Sequence, residues 1–321
     1  MSGPAPPPPS GGTRRTTAPP RPLGPPALRP FLMLAASMRP LQWLKNLFVF
    51  APLIFAQRLT ERTSLNLALL AFGAFCLLSA ATYLLNDILD RERDRLHPIK
   101  RQRPIAAGDL SLGAAAAGGL LVLGGGVALA VWLGPPFLYA ALVYLALQLA
   151  YSVGLKRVVI LDVFTVSAGF VARVLGGAFA VGVPASSWLL VCTVLIALFL
   201  SLAKRRHELL LLGDLAEEHR GSLTQYSIRL LDQMIGVVAP ATVVAYALYT
   251  LDPVTVAKFG GYELVYTVPF VLYGLFRYLY LVHRHEGGGE PDRTLLTDLP
   301  LLLNVLLYGA TVILLVYVIK D

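Results

Sequence analysis

Long apolar runs recur along most of this chain, and they constrain its fold more than any other feature. We count nine of them, over residues 41–57, 64–86, 111–132, 136–153, 158–180, 187–204, 233–251, 264–282 and 296–319. About 20 apolar residues in a helix cross the hydrocarbon core of a bilayer. The runs do not alternate as barrel strands do, and a helix satisfies its own backbone groups in lipid. The pattern predicts an all-α membrane protein with nine transmembrane helices.

The composition indicates a membrane protein rather than a soluble domain or a nucleic-acid-binding protein. The chain is 56% hydrophobic and 14% charged, whereas about a quarter of the residues in a soluble domain are charged. A net charge of +8 would suggest nucleic acid in a soluble protein. In a membrane protein, Lys and Arg that set the topology explain this positive charge, so we expect no nucleic-acid partner. Cys76 and Cys192 lie inside apolar runs, which predicts packed thiols with no metal site or disulfide framework.

The N-terminal segment differs in composition from the rest of the chain. Residues 1–30 read "MSGPAPPPPSGGTRRTTAPPRPLGPPALRP", and such a density of Pro, Gly and Thr cannot build a packed core. We predict a disordered cytosolic tail over residues 1–36. Residues 37–321 are predicted to form a single transmembrane domain.

The distribution of basic residues predicts the orientation in the membrane. The loops after the second, fourth, sixth and eighth apolar runs hold fifteen Lys or Arg, whereas the other loops hold only Arg58, Arg62 and Lys258. Basic loops stay in the cytoplasm. The sequence therefore predicts a multi-pass protein of the cell membrane, with its N-terminus and most elaborate loops in the cytosol.

One charged stretch stands out, "YLLNDILDRERDRLHPIKRQRPIAAG", with four acids and six Lys or Arg between Tyr83 and Gly108. Asn86, Asp90 and Asp94 stand at i, i+4 and i+8, so a helix would carry them on one face, with Tyr83 one turn deeper. Asp87 would lie about 100° around that helix, off the stripe. Carboxylate and amide oxygens are ligands that Mg²⁺ prefers, with substrate phosphates completing its shell. We predict that these three residues bind Mg²⁺.

Basic side chains beside this stripe supply groups for the phosphate oxygens that a metal would not hold. They are Arg91, Arg95, Lys100, Arg101 and Arg103. A solvated loop with topogenic arginines and intrahelical ion pairs is the alternative interpretation. The acid spacing directly beside an apolar run favours the metal site.

The motif N-D-x-x-D-x-x-x-D at residues 86–94, "NDILDRERD", resembles the first signature of the UbiA superfamily of intramembrane transferases. The resemblance extends over most of residues 38–320. It implies nine helices around a central cavity that opens to the cytosolic side. It also implies a diphosphate substrate bound through Mg²⁺.

Four blocks resemble one branch of that superfamily, the decaprenyl-phosphate phosphoribosyltransferases. They are "RPLQWLKN" (39–46), "NDILDRERDRLHPIKRQRPIAAG" (86–108), "YSVGLKRVVILDVFTVSAGFVARVLGG" (151–177) and "KRRHEL" (204–209). This resemblance implies transfer of a 5-phosphoribosyl group from phosphoribosyl pyrophosphate to a polyprenyl phosphate, with release of pyrophosphate. It implies a role in making arabinose donors for the cell wall.

Further substrate-binding candidates lie at predicted cytosolic helix ends. Lys204, Arg205 and Glu208 suit a phosphorylated sugar, because loop 6–7 opens with three bases. Tyr151 and Lys156 end the fourth run; Lys156 is a point charge for phosphate or a snorkelling side chain. Lys45 has the same two interpretations, and the family block favours phosphate.

Two ionisable residues lie within the fifth run. A charge inside a span costs about 2.5–3.5 kcal/mol on insertion scales, so Asp162 and Arg173 should face a cavity or a partner. Asp162, near the cytosolic edge, is a candidate for substrate hydroxyls or for a basic partner. For Arg173, pairing across helices and contact with substrate both remain open.

Some features have simpler interpretations. Gly-rich patches at 118–126 and at Gly169, Gly176 and Gly177 favour close helix packing over a substrate groove. Asp214 and Glu218 in loop 6–7 are either solvated or ligands of substrate or metal. Loop 8–9, "GGGEPDRTLLTD", favours a plain connector, with a mobile lid as the alternative.

The residues favour a Mg²⁺-dependent enzyme that acts on phosphorylated substrates, and the resemblance implies that it is a phosphoribosyltransferase. A prenyltransferase with a prenyl diphosphate donor and an aromatic acceptor is its nearest rival. A transporter would place ionisable groups near the membrane midplane, whereas the charges here cluster at predicted cytosolic helix ends. A scaffold protein would give no reason for the stripe of acidic residues. A homo-oligomer is one of the assembly states that the sequence leaves open.

Overall fold

The structure, a computed structural model, describes residues 28–96, 100–212, 223–284 and 291–318. Within these residues it is all helical. The α-helices are α1 Arg29–Ser37, α2 Ala51–Phe55, α3 Arg62–Leu89, α4 Arg91–Leu96, α5 Pro104–Ala107, α6 Leu112–Trp132, α7 Pro135–Val153, α8 Leu161–Val181, α9 Ser187–Leu212, α10 Ile228–Leu251, α11 Pro253–Phe259, α12 Val268–Arg284, α13 Pro291–Thr297 and α14 Leu299–Tyr317. Short 3₁₀ helices lie at Lys100–Gln102, Leu155–Arg157, Leu223–Gln225 and Glu263–Thr267, and a longer one spans Pro40–Phe50.

Eight helices in these ranges are long and apolar enough to cross a membrane, judged by length and composition. They are α3, α6, α7, α8, α9, α10, α12 (with the 3₁₀ turn before it) and α14. These eight correspond to the second to ninth predicted runs. The protein is therefore a multi-pass membrane protein, and eight of the nine predicted spans form membrane-length helices.

The first predicted span differs from the prediction. Residues 40–50 form a 3₁₀ helix of 11 residues, followed only by the five-residue α2. Runs of 3₁₀ longer than three or four residues are uncommon. Tertiary contacts hold this one, because it packs against α3 and α8. A Cβ on Gly177 of α8 would meet the Val49 carbonyl oxygen at 2.0 Å, so the two backbones touch.

The predicted tail also ends earlier than expected. Residues 29–36, assigned to the tail, form most of α1, whose Met33 is buried against Leu84 and Ile105. Apolar side chains between the last prolines of the tail and Pro40 provide that contact surface. Residues 1–27 lie outside the described part of the chain.

Helix α8 is the centre of the bundle and the most buried of the eight long helices. It packs against α3, α7, α9 and the 3₁₀ helix at Pro40–Phe50. Glycines make this packing possible, since a Cβ on Gly176 would meet the Phe75 ring at 2.6 Å. In α6, Gly118 and Gly126 lie similarly close to Leu34 and Leu78. The packing interpretation is confirmed for Gly118, Gly126, Gly176 and Gly177, whereas a Cβ on Gly124 would meet nothing within 4 Å.

Candidate active site

Charged side chains from distant parts of the sequence meet at one end of the bundle. This end contains the C-termini of α3, α7 and α9 and the N-termini of α8 and α10. Ion pairs and hydrogen bonds link Asp90 to Lys156, Arg205 to Asp162 and Arg206 to Asp232 across these elements. The helices thus bring the predicted site residues of the second, fourth, fifth and sixth runs to the same end.

The acidic motif does not lie on one uninterrupted helix. Helix α3 ends at Leu89, Asp90 lies in a turn, and α4 begins at Arg91. Backbone hydrogen bonds still join Asp90 to Asn86 and Asp94 to Asp90, at 2.8 Å each. The i, i+4 spacing therefore survives across the turn. We call residues 86–94 the acidic turn.

Asp87, which the spacing placed off the stripe, is a central member of the acidic turn. Arg103 Nη1 lies 3.0 Å from the Asp87 carboxylate and 2.6 Å from the Asp94 carboxylate, so one guanidinium bridges both. Arg39 also binds Asp87 and lies 5.2 Å from the centroid of the Tyr83 ring. Burial lowers the pKa of Arg39, and Asp87 opposes that effect. An arginine stays charged throughout the physiological range, so Asp87 holds two cations in place.

Asp90 is the most accessible of the three aspartates of the acidic turn, at 29% exposed against 3% for Asp87 and 5% for Asp94. Its Oδ2 lies 3.4 Å from Lys156 Nζ, at the end of α7. Asn86 is half-buried one turn earlier. Asp90 and Asn86 are therefore the members of the predicted metal set with the most room for a ligand.

The acidic turn offers oxygen donors of the kind that Mg²⁺ prefers. Among the described residues, no three His, Cys, Asp or Glu side chains converge closely enough to hold a metal alone. Mg²⁺ commonly takes only one or two carboxylates and completes its shell with water and substrate phosphates. The donor set thus fits Mg²⁺ bound together with an anionic substrate.

A second cluster surrounds Asp162, whose side chain is fully buried at the start of α8. Arg205 Nε lies 2.9 Å from Asp162 Oδ2, and Arg205 Nη2 donates to the Tyr151 hydroxyl at 3.0 Å. Arg205 also binds Glu208. The Tyr226 hydroxyl donates to Asp162 Oδ1 at 2.8 Å. Asp162 therefore has the basic partner that the sequence left as one of two alternatives, and Arg205 ties three predicted site residues together.

Next to this cluster is a cavity of about 300 Å³, which we call the basic cavity. Four cationic side chains line it, together with one carboxylate and several uncharged residues. The charged lining residues are Arg39, Lys45, Lys204, Arg293 and Asp292. Lys45 Nζ lies 3.0 Å from the Asp292 carboxylate, which α13 brings from loop 8–9. The surplus of cations makes this cavity suited to an anionic group.

Deeper in the bundle, Arg173 is buried in a network of neutral groups. Its Nε donates to Asn46 Oδ1 at 2.7 Å, and its Nη2 donates to the Tyr144 hydroxyl at 3.1 Å. Nη1 donates to the Gly169 carbonyl at 2.8 Å. No Asp or Glu of the described residues lies within 4.0 Å of this guanidinium. Arg173 thus joins α8 to α7 and to the 3₁₀ helix that carries Lys45.

The remaining predicted residues are less closely associated with these clusters. Lys100 is half-buried and Arg101 exposed on the 3₁₀ turn before α5. Arg95 binds Glu92 and the Ala106 carbonyl, so its contacts hold the loop together. Asp214 and Glu218 lie outside the described residues.

Sequence reasoning missed several contributors to these clusters, among them Asp87, Tyr226, Asp292, Asn46, Arg39 and Arg293. Helix spacing left out Asp87, because its partners Arg39 and Arg103 come from other segments. Nothing in the spacing links Tyr226 to Asp162, which lies 64 positions away. Asn46 lies in the "RPLQWLKN" block, so the block carried a signal whose meaning only the fold reveals.

The fold is thus a bundle of membrane-length helices that gathers acids and bases at one end. The chain belongs to the UbiA prenyltransferase family, whose model matches residues 46–317. Its fold resembles a UbiA homolog from Archaeoglobus fulgidus bound to GPP and Mg²⁺, with a TM-score of 0.68 at 18% sequence identity. That comparison covers 89% of this chain and all of the other.

Two curated proteins are similar to this chain in sequence over most of their length. The decaprenyl-phosphate phosphoribosyltransferase of Corynebacterium glutamicum is 35% identical over 288 residues, covering 88% of this chain and 86% of the relative. The protein of that name from Mycobacterium tuberculosis H37Rv is 35% identical over 286 residues, covering 86% and 91%. The resemblance drawn from the four sequence blocks is confirmed.

Proposed function

We propose that this protein transfers the 5-phosphoribosyl group of phosphoribosyl pyrophosphate to a polyprenyl phosphate on the cytosolic side of the membrane. The observation that carries the proposal is the basic cavity beside the acidic turn. A donor with a sugar phosphate and a pyrophosphate needs more cations than one prenyl diphosphate. The similarity to decaprenyl-phosphate phosphoribosyltransferases over most of both chains supports the same substrates.

In the proposed reaction, the bond from ribose C1 to the pyrophosphate oxygen breaks and a bond from C1 to a lipid phosphate oxygen forms. Pyrophosphate leaves with the electron pair. The attacking phosphate is already anionic, so the step requires no general base. Binding the two anions side by side and stabilising the leaving charge provide the rate.

Each cluster has a role in that scheme. Lys45, Lys204, Arg39 and Arg293 bind phosphate oxygens in the basic cavity, and Lys156 provides a further cation beside Asp90. Tyr151 and Glu208, fixed by Arg205, face the sugar. Mg²⁺, when held by Asn86, Asp90 and Asp94, would neutralise charge on the pyrophosphate.

The test uses purified protein in detergent with Mg²⁺, polyprenyl phosphate and phosphoribosyl pyrophosphate labelled in its ribose. We expect label to enter the lipid phase and the transfer to stop with EDTA. No transfer, with an active relative assayed in parallel, would contradict the proposal. Transfer from a labelled prenyl diphosphate to an aromatic acceptor would then support the rival prenyltransferase.

Substitution of Asp90, the most accessible of the three aspartates, tests the acidic turn. We expect Asp90→Ala to lower transfer about 100-fold or more, because the leaving charge loses its stabilising group. Asp109→Ala is the matched control, since it removes only an exposed pair with Arg29. Full activity of Asp90→Ala would overturn the assignment of Asp90 to the metal.

A further inference from the structure

Ile160, the residue before α8, has a strained backbone. Its φ is +70° and its ψ is −49°. Only Arg39 and Gln57 share a positive φ among the non-glycine residues described. A β-branched residue is a genuine outlier in this region and persists only where its surroundings impose the conformation. Something must therefore hold the backbone at the start of α8.

Tyr226 provides that contact from the end of loop 6–7. Its hydroxyl accepts a hydrogen bond from the Ile160 amide at 2.7 Å and donates to Asp162 Oδ1 at 2.8 Å. The side chain is 4% exposed and packs in a cluster with Val163 and Leu202. Burial raises the pKa of the Tyr226 phenol well above its usual range. The phenol therefore stays protonated and keeps both hydrogen bonds.

The contacts continue from Tyr226 towards the predicted sugar-binding groups. Asp162 holds Arg205, and Arg205 in turn binds Tyr151 and Glu208. Both oxygens of Asp162 are used, one by Tyr226 and one by Arg205. The Tyr226 hydroxyl, which accepts from the strained Ile160 amide, therefore also orients the Asp162 carboxylate, from which the contacts run to Arg205.

We propose that Tyr226 is a positioning residue that fixes the strained start of α8 and, through Asp162 and Arg205, orients Tyr151 and Glu208 towards the donor sugar. The inference deepens the proposed function and rests on it for the identity of the donor. Its structural part, the hold on Ile160, stands on the contacts alone.

Tyr226→Phe keeps the ring in its apolar cluster and removes only the hydroxyl. The Ile160 amide then loses its acceptor inside the protein, and Asp162 loses a donor. We expect kcat to fall about 5- to 100-fold, since an unsatisfied buried group is a large perturbation. We also expect the KM for phosphoribosyl pyrophosphate to rise more than the KM for polyprenyl phosphate.

Tyr246→Phe is the matched control. Tyr246 is also buried, and its hydroxyl is bonded to Thr267 and Tyr308 in another part of the bundle. The same chemical change there should leave kcat and both KM values within about twofold. Equal losses in the two variants would show a general effect of buried hydroxyls and overturn the proposal.

Rescue by glycine distinguishes positioning from simple destabilisation. Ile160→Gly removes the strain of a positive φ, and the Ile160 side chain is already 44% exposed. Combined with Tyr226→Phe, it should restore part of the lost kcat, so the two changes will be non-additive. If the fold decrease in kcat of the double variant equals the product of the decreases in the two single variants, the strained-backbone mechanism is contradicted.

A measurement without substrate separates this proposal from the proposed function. Hydrogen exchange of the Ile160–Val163 amides should speed up in Tyr226→Phe and stay unchanged in Tyr246→Phe. Unchanged exchange in Tyr226→Phe would overturn the inference even if transfer activity is found. If exchange is faster in Tyr226→Phe but the protein does not use phosphoribosyl pyrophosphate, the hold of Tyr226 on Ile160 is established. The proposed donor is then wrong.

Discussion

At the scale of single residues, the site is defined by pairs in which one charged group stands against another from a distant segment. Asp292 against Lys45 is the most informative pair, because the two side chains are 14% and 23% exposed and border the basic cavity. A carboxylate bound to Lys45 has the same charge as the phosphate that we propose for this cavity. We therefore expect Asp292 to compete with the proposed substrate for Lys45.

Asp292→Asn tests this competition. We expect the KM for one phosphorylated substrate to fall roughly two- to fivefold, since a partly exposed ion pair contributes up to about 1 kcal/mol. Steady-state kinetics with each substrate varied in turn will identify which one. Asp109→Asn serves as the control, because neither Asp109 nor its partner Arg29 lines the cavity. A large loss of kcat in Asp292→Asn would instead make Asp292 a substrate ligand.

At the scale of elements, the 3₁₀ helix at Pro40–Phe50 carries Lys45 towards the cavity and Asn46 towards Arg173. Its position depends on the absence of a side chain at Gly177, where α8 touches the Val49 carbonyl. Helix α8 therefore holds the 3₁₀ helix at two points, Asn46 against Arg173 and Val49 against Gly177. The fold thus sets the location of Lys45 through α8.

Gly177→Ala should displace this element. A methyl group 2.0 Å from the Val49 oxygen forces one backbone to move, and overpacking typically costs about 1–3 kcal/mol. We expect a lower melting temperature in detergent and a higher KM for phosphorylated substrate. Gly124→Ala in α6 is the control, since its Cβ would meet nothing within 4 Å. Equal melting temperatures for both variants would contradict the close contact.

The sequence predicted the long helices well because each apolar run is a local signal of one element. It could not predict the 3₁₀ helix, which depends on Gly177 and Arg173 of a helix more than 100 positions away. The acid spacing singled out Asp90 and Asp94 but left out Asp87, whose partners Arg39 and Arg103 come from other segments. The Lys45–Asp292 ion pair and the Tyr226–Asp162 hydrogen bond need the packed bundle, and no local pattern encodes them.

At the scale of the whole molecule, the charged end of the bundle is predicted to face the cytosol. Fifteen Lys or Arg in one set of loops against three in the other predicts this orientation. The site clusters described above all belong to the basic end. Both substrates would then be supplied from the cytosolic side.

Cysteine labelling in intact cells tests the orientation. With Cys76 and Cys192 replaced by Ala, a single cysteine is introduced either at Val254, which is 76% exposed, or at Arg101, which is exposed in the basic loop. An impermeant maleimide should label position 254 in whole cells and position 101 only after lysis. The reverse pattern would show that the prediction is wrong.

The placement of Arg173 has a consequence for how the chain enters the membrane during synthesis. A guanidinium in a span costs about 2.5–3.5 kcal/mol on insertion scales unless partners receive it. Asn46 and Tyr144, its acceptors, both precede α8 in the chain and have left the ribosome before Arg173 does. Arg205 and Tyr226, the partners of Asp162, follow it. The acceptors of Arg173 have therefore been synthesised before it, whereas the partners of Asp162, at the edge of the same helix, are synthesised after it.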